Sequence, residues 1–196
     1  VYELRGISCL DLDKILPKKN IMCSRSFGNP LNSKTAIKDF ITEYAIRAAE
    51  KVRQQNSRAQ GIYIFLQTNR FKKEKQYNSS IMFGLNFPCC DTSIIIKLAL
   101  RAIDQIYQSG YSYHKAGIMM LDLIPSEIHQ QDLFQNTNYL LSDQRMGVID
   151  FLNNKYGSGT ITHGKIRQKD KSRWKSKSFY LSPRYTTQWD ELPQVS

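Results

Sequence analysis

The reactive side chains of this sequence are too scattered to predict a catalytic group. The carboxylates Asp11, Asp13, Asp122 and Asp132 share no predicted element, whereas two-metal catalysis needs acids gathered within a few ångströms. The chain has no G-x-S-x-G, G-x-G-x-x-G or G-x-x-x-x-G-K-[ST] string, and its four cysteines have no C-x-x-C spacing. Three dispersed histidines do not complete a zinc site. We therefore expect a chain that binds rather than catalyses and that itself holds no metal or cofactor.

The basic residues carry the positive signal. The 196 residues include 28 Lys and Arg against 17 Asp and Glu, a net charge of +11. Two stretches concentrate this surplus, residues 70–75 and residues 165–177. A solvated surface without a partner could account for a surplus spread evenly, but clustering favours a polyanion, because each neutralised phosphate releases condensed counterions. The charge therefore predicts nucleic acid as the partner.

Hydroxyls and basic side chains near predicted strand ends are the candidate phosphate contacts. Such groups position a protein on nucleic acid without reading its sequence. On the first predicted strand, Ser24 and Ser26 occupy one face and Arg25 the other. We expect Arg25, Arg70 and Lys115 to be the main contacts. The full predicted set is Lys19, Ser24, Arg25, Ser26, Arg70, Lys72, Lys73, Ser79, Ser80, His114 and Lys115.

The elements that must position these residues follow from hydrophobic periodicity. Strand-like alternation covers residues 21–27, 62–68 and 77–87, and an apolar run covers 116–124. Helical stripes begin at residues 35 and 93. The resulting β-α-β-β-α-β order predicts an α+β, ferredoxin-like fold. In this fold a four-stranded antiparallel sheet carries two helices on one face and leaves the other open.

Local signals set the predicted ends of these elements. We expect a loop at residues 28–30 and a break at Pro88, because Gly, Asn and Pro interrupt strands. Thr92 or Ser93 should cap the second helix, and Gly110 should stop it. Residues 126–142 are expected to be a linker. Beyond it we expect one short helix through Met146 and Tyr156, stopped by Gly157, and then a largely irregular tail.

Two adjacent apolar residues stand out in the predicted linker. Leu133 and Phe134 lie in an otherwise polar segment, and each would gain about 1.5–3 kcal/mol if a partner buried it. Local packing onto the sheet would bury them equally well. The residues alone leave both interpretations open.

Several strings together resemble the C-terminal half of the UmuC family of bacterial Y-family translesion DNA polymerases. They are ELRG at 3–6, IMCSRSFG at 21–28, YAIRAAEK at 44–51, YHKAG at 113–117 and LSPRYTT at 181–187. The resemblance implies four segments: 1–18 the end of the thumb and its tether, 19–124 the little finger domain, 125–137 a linker and 138–196 the extra C-terminal region. The little finger would grip template–primer duplex through its open sheet.

The resemblance also implies partners. The linker matches the sliding-clamp motif of the family, with the clamp-binding residues Gln130, Gln131, Asp132, Leu133 and Phe134. Gln131 stands where Leu is common. Residues 138–196 would contact the UmuD′ accessory dimer and recombinase filaments. The palm acids that hold Mg²⁺ in the family lie upstream of Val1, so we expect a non-catalytic piece of an error-prone DNA polymerase of the SOS response.

Two alternatives compete with this interpretation. An RNA-recognition module shares the element order, but its third strand needs a basic-Gly-aromatic signature that residues 80–87 do not supply. A protein-interaction scaffold would use the basic charge for an acidic partner and would not bind duplex DNA even at low salt. No apolar run approaches the ~18 residues of a membrane span and no leader opens the chain, so we expect a cytoplasmic protein acting at the nucleoid.

Overall fold

A computed structural model describes residues 2–6, 9, 16–127, 139–164, 181–186 and 188–192. Its helices and strands are β1 (Ile21–Leu31), α1 (Lys34–Gln54), β2 (Ser57–Thr68), β3 (Asn78–Cys89), α2 (Thr92–Ile106), β4 (Tyr113–Leu121), β5 (Ile124–Pro125) and α3 (Tyr139–Tyr156). Two short 3-10 turns lie at Glu3–Arg5 and Trp189–Glu191. No helix in the described part of the chain is both long and apolar enough to cross a membrane.

The predicted fold class is confirmed. The four long strands form one sheet in the order β1-β4-β2-β3, and every neighbouring pair is antiparallel. The two-residue β5 pairs with the start of β2. β4 and β2 are therefore the central strands, whereas β1 and β3 form the edges.

Both long helices pack on one face of this sheet. The predicted stripe of α1, from Ile37 to Val52, is buried along its length, and α2 buries Ile95, Ala99 and Ile103 beside it. Alternate residues of the strands complete the core, because successive side chains of a strand point to opposite faces. The core therefore lies between one sheet face and the two helices.

The strands are longer than the sequence predicts. β1 continues through the expected loop at residues 28–30, with a register shift after Ser26, and β3 continues through Pro88 to Cys89. Both strands lie at sheet edges, where a proline need not donate a ladder hydrogen bond. β2 begins at Ser57 rather than Ile62, and β4 runs over Tyr113–Leu121 rather than residues 116–124.

The ends of α2 also differ from the prediction. Asp91, not Thr92 or Ser93, caps the helix, because its carboxylate accepts from the backbone N–H groups of Ser93 at 2.7 Å and Ile94 at 3.4 Å. The helix ends at Ile106, and Gly110, with φ of +88°, lies in the turn that follows.

The third helix begins inside the expected linker. α3 has 18 residues and ends before Gly157, whose φ of +104° fits the predicted stop. Its polar residues bind β2 and the start of α2: Asp143 pairs with Arg58, and Arg145 donates to Asp91 at 2.6 Å. The helix thus includes the last four residues of the expected linker, and one of them, Ser142, donates a hydrogen bond to Asp91 at the start of α2.

Candidate nucleic-acid interface

The candidate interface is the sheet face that the helices leave uncovered, which we call the open face. Cross-strand pairs lie on the same face of a sheet, so the strand register assigns its members. They are Met22, Ser24, Ser26, Gly61, Tyr63, Phe65, Gln67, Asn78, Ser80, Met82, Gly84, Lys115, Gly117, Met119 and Leu121. None of these described residues is acidic, and Lys115 is the one cation among them.

A polar row crosses one end of the open face. Ser26 pairs with Lys115, Lys115 with Gln67, and Gln67 with Asn78, so the row passes through all four long strands. The Lys115 ammonium lies 5.9 Å from the centre of the Phe65 ring. This cation–π contact holds the charge close to the sheet surface.

The next row depends on one glycine. Gly117 lies between Ser24 and Phe65, and a Cβ placed on it would come within 2.5 Å of the Ser24 Cβ and 2.7 Å of two Phe65 ring atoms. Phe65 is 6% exposed although it belongs to the open face, because its ring covers the glycine. The absence of a side chain at residue 117 therefore keeps the middle of the open face flat.

A third row is apolar. Met22 pairs with Met119, Met119 with Tyr63, and Tyr63 with Met82. The outer two methionines are 49% and 66% exposed. Methionine is flexible and polarisable, so this row can adapt to an irregular partner surface.

The basic loop, residues 69–77, joins β2 to β3 at the polar end of the open face. The side-chain amide of Gln76 organises it by donating to three backbone carbonyls, those of Asn69 at 3.0 Å, Lys72 at 2.7 Å and Glu74 at 3.1 Å. The Thr68 hydroxyl donates to the side-chain oxygen Oε1 of Gln76 at 3.0 Å. The loop contains Arg70 and three lysines against the single acid Glu74.

The structure divides the predicted site residues. Ser24, Ser26, Ser80 and Lys115 share the open face. At the same end of the sheet lie the basic loop, with Arg70, Lys72 and Lys73, and the start of β4, with His114. Three predicted residues lie elsewhere. Lys19 precedes β1 at the opposite end of the sheet. Arg25 and Ser79 lie on the helix side, because their cross-strand partners, Ala116 and Leu66, belong to the core.

Sequence reasoning missed several members of this surface. Gln67, Asn78 and the apolar row were not predicted, although the parity of each strand would have identified them once the register was known. The clamp motif at residues 130–134 and the basic cluster at residues 165–177 lie outside the described residues.

The described residues offer neither a group of metal ligands nor a reactive buried thiol. They contain no group of three His, Cys, Asp or Glu side chains that could hold a metal ion. Burial raises the pKa of the Cys89 thiol to about 12 and that of Cys90 to about 11. Both groups are therefore protonated and unreactive near neutral pH.

The fold and the open face define an α+β domain with one sheet surface available to a ligand. Residues 18–133 match the model of the impB/mucB/samB family C-terminal domain, which is more than half of the chain, and the chain belongs to this family. Residues 144–195 match a second model, a domain of unknown function.

Two curated relatives align with almost the whole length of this chain. Protein UmuC of Salmonella typhimurium is 37% identical over 100% of this chain, and Protein ImpB of Salmonella typhimurium is 35% identical over 98% of it. In each case the match covers 46% of the relative. The chain therefore spans about half the length of the curated relatives that it matches.

Solved structures resemble the fold at low sequence identity. An insertion ternary complex of Dbh DNA polymerase gives a TM-score of 0.44 and 11% identity, covering 54% of this chain and 29% of that one. A complex of the beta-clamp processivity factor with the little finger domain of PolIV gives 0.38 and 15%, covering 59% and 99%.

Proposed function

We propose that this chain binds duplex template–primer DNA through its open face, as the DNA-gripping part of an error-prone translesion polymerase. The observation that carries the proposal is the charge distribution of that face. Its described residues contain no acid, and its polar end joins Lys115 to the basic loop. A phosphate backbone is the partner that such a surface attracts most strongly.

The geometry supports a grip that does not depend on sequence. The polar end supplies Ser26, Lys115 and the basic loop for one phosphate strand, because hydroxyls and cations bind phosphate oxygens. The apolar row lies four residues further along β1, which corresponds to about 13 Å in an extended strand. The major groove of B-DNA is about 12 Å wide, so the open face can cover one groove. Arg25 and Ser79 are left out of this proposal because they lie on the helix side.

The proposal extends to the longer protein through the family. There, nucleotidyl transfer belongs to the Mg²⁺-holding palm, and this chain supplies DNA contact and recruitment. We keep the four segments 1–18, 19–124, 125–137 and 138–196 as a proposal, with residues 130–134 binding the sliding clamp. The last segment is proposed to bind the UmuD′ dimer and the recombinase filament, all in the bacterial cytoplasm.

Salt dependence of duplex binding tests the grip. The logarithm of the binding constant should fall linearly with the logarithm of salt concentration, with a slope of about −0.9 per phosphate contacted. Lys115→Gln should reduce the slope by about one contact. Arg25→Gln removes the same charge on the helix side and is the matched control, so its slope should equal that of the unmodified chain.

Other results of these binding measurements would contradict the proposed grip or favour one of the two alternatives. If the slopes for Lys115→Gln and Arg25→Gln both equal that of the unmodified chain, Lys115 contacts no phosphate and the proposed grip through the polar end is wrong. No duplex binding at low salt would favour the protein-interaction alternative, and tighter binding of RNA than of DNA would favour the RNA-recognition alternative.

Recruitment needs a separate test. Binding of the chain to a bacterial sliding clamp is expected, and the double change Leu133→Ala/Phe134→Ala should abolish it while leaving the duplex-binding constant unchanged. Clamp binding that survives the double change would refute the assignment of the motif.

A further inference from the structure

Phe71 is an exposed aromatic side chain with a cationic residue on each side of it in the sequence. It is 90% exposed at the basic loop, and its chain neighbours are Arg70 and Lys72. A single exposed apolar residue is common on protein surfaces. Phe71 differs from such a residue because its loop adjoins the polar end of the open face, where we propose that DNA binds.

The loop holds Phe71 in place. The backbone N–H of Phe71 donates to the Asn69 side chain at 3.0 Å, and that of Lys72 donates to the Asn69 carbonyl at 3.2 Å. With the three hydrogen bonds from Gln76, these contacts fix the backbone on both sides of the ring. The exposure of the ring is therefore a feature of an ordered loop.

The loop is continuous with the open face. A groove of about 160 Å³ lies between Arg70 and the outer part of the polar row, and its lining includes Gln67, Gln76 and Asn78. A nucleic-acid strand that follows the polar row along this groove therefore reaches Arg70, the residue that precedes Phe71 in the chain.

We propose that Phe71 stacks on an unpaired base of single-stranded DNA adjoining the bound duplex, an inference that rests on the proposed function. Aromatic rings among cations are the surface on which single strands bind, because every base offers a flat face while the cations neutralise its phosphate. Insertion into a paired duplex would require unstacking, at a cost of a few kcal/mol per step. An unpaired base needs no such opening, so it is the favoured occupant.

Two DNA ligands of equal duplex length test the inference with the full chain, one blunt and one with a single-stranded overhang. Phe71→Ala should weaken binding of the overhang ligand by about 5- to 150-fold. Its affinity for the blunt duplex should stay within about twofold of the unmodified value, because no charge is lost. Phe71→Trp should retain the tight binding, whereas Phe71→Leu, which is apolar but cannot stack, should bind as weakly as Phe71→Ala.

The outcomes separate this inference from the proposed function. If Phe71→Ala binds both ligands as the unmodified chain does, or loses affinity for both equally, the stacking role is wrong while duplex binding stands. If Phe71→Leu binds as tightly as Phe71→Trp, stacking is refuted as the cause. If the unmodified chain fails to bind the blunt duplex at low salt, the proposed function fails and the inference fails with it.

Discussion

The guanidinium of Arg53 on the last turn of α1 binds the carboxylate of Asp150 on α3 through two hydrogen bonds, of 2.6 and 2.7 Å. The same group donates to the Cys90 carbonyl at 2.8 Å and to the Thr92 hydroxyl at 2.9 Å. Arg53 thus joins α1, the start of α2 and α3. Part of the segment that matches a domain of unknown function is therefore bound to residues 18–133, which match the family model.

Breaking this pair should weaken the docking of α3, which the Asp143–Arg58 and Arg145–Asp91 pairs also support. Asp150→Ala removes the charged hydrogen-bond partner of a guanidinium that is 11% exposed and leaves it the neutral acceptors of Cys90 and Thr92, so we expect a loss of about 1–3 kcal/mol in the free energy of unfolding. Gln144→Ala, at an exposed position of α3, is the matched control and should leave stability within about 0.5 kcal/mol. Denaturant titration of both variants measures the difference, and equal stabilities would show that α3 does not depend on the pair.

Thiol labelling should report the same docking. Cys9 is exposed, whereas Cys23, Cys89 and Cys90 are buried, so one cysteine should react rapidly with a thiol reagent at pH 8. The Cys90 thiol lies 3.6 Å from an Asp143 carboxylate oxygen, next to α3. Asp150→Ala should therefore accelerate labelling of Cys90 and leave Cys23 unchanged, as read by mass spectrometry of the labelled peptides. Unchanged protection of Cys90 would contradict a contact made through α3.

His163 makes the segment after α3 sensitive to pH. Its ring nitrogen lies 3.3 Å from the Ser93 hydroxyl. Burial lowers the pKa of His163 below its ordinary 6.5, Asp91 opposes this shift, and Arg53 and Arg145 reinforce it. The folded state therefore binds protons less readily than the unfolded state. Neutral His163 therefore contributes to the free energy of unfolding above pH 6.5. This contribution is lost as the pH falls through the pKa of His163 in the folded state.

Proteolysis of the 157–164 segment between pH 7.5 and 5 checks this sign. The unmodified chain should become more susceptible toward pH 5, and His163→Gln, which does not titrate, should show a flatter dependence. A chain that becomes better protected as pH falls would contradict the lowered pKa.

Two glycines of the open face should respond differently to an added methyl group. Gly117→Ala forces a shift of Ser24 or Phe65, so we expect a loss of about 1–3 kcal/mol in the free energy of unfolding. Gly84 has no atom within 4 Å of an added Cβ, so Gly84→Ala should not destabilise the chain. Thermal unfolding of the two variants compares them. A destabilised Gly84→Ala beside an unaffected Gly117→Ala would refute the close packing of the middle row.

The sequence predicts this fold where one periodicity dominates. The unbroken apolar stripe of α1 predicts a helix with one buried face. The alternation of Ile62, Ile64 and Leu66 predicts a strand with one buried face. Edge strands were predicted too short, because Pro30 and Pro88 signal breaks that an edge position tolerates.

The interface was predictable only in part. Alternation already placed Ser24 and Ser26 together, but assigning them to the face without helices required the burial of Cys23 and Phe27. The docking of α3 could not be predicted, because Asp150 and its partner Arg53 are 97 residues apart and neither shows a local pattern.

The five methionines offer the most direct test of the open face as the DNA surface. Met22, Met82 and Met119 belong to the apolar row, whereas Met120 is 0% exposed in the core and Met146 is 1% exposed on α3. Methyl NMR of the full chain, titrated with a duplex, separates the two groups. We expect the three open-face methyl signals to shift and the two buried ones to stay in place. Shifts confined to Met120 or Met146, or no shift at saturating duplex, would contradict the account.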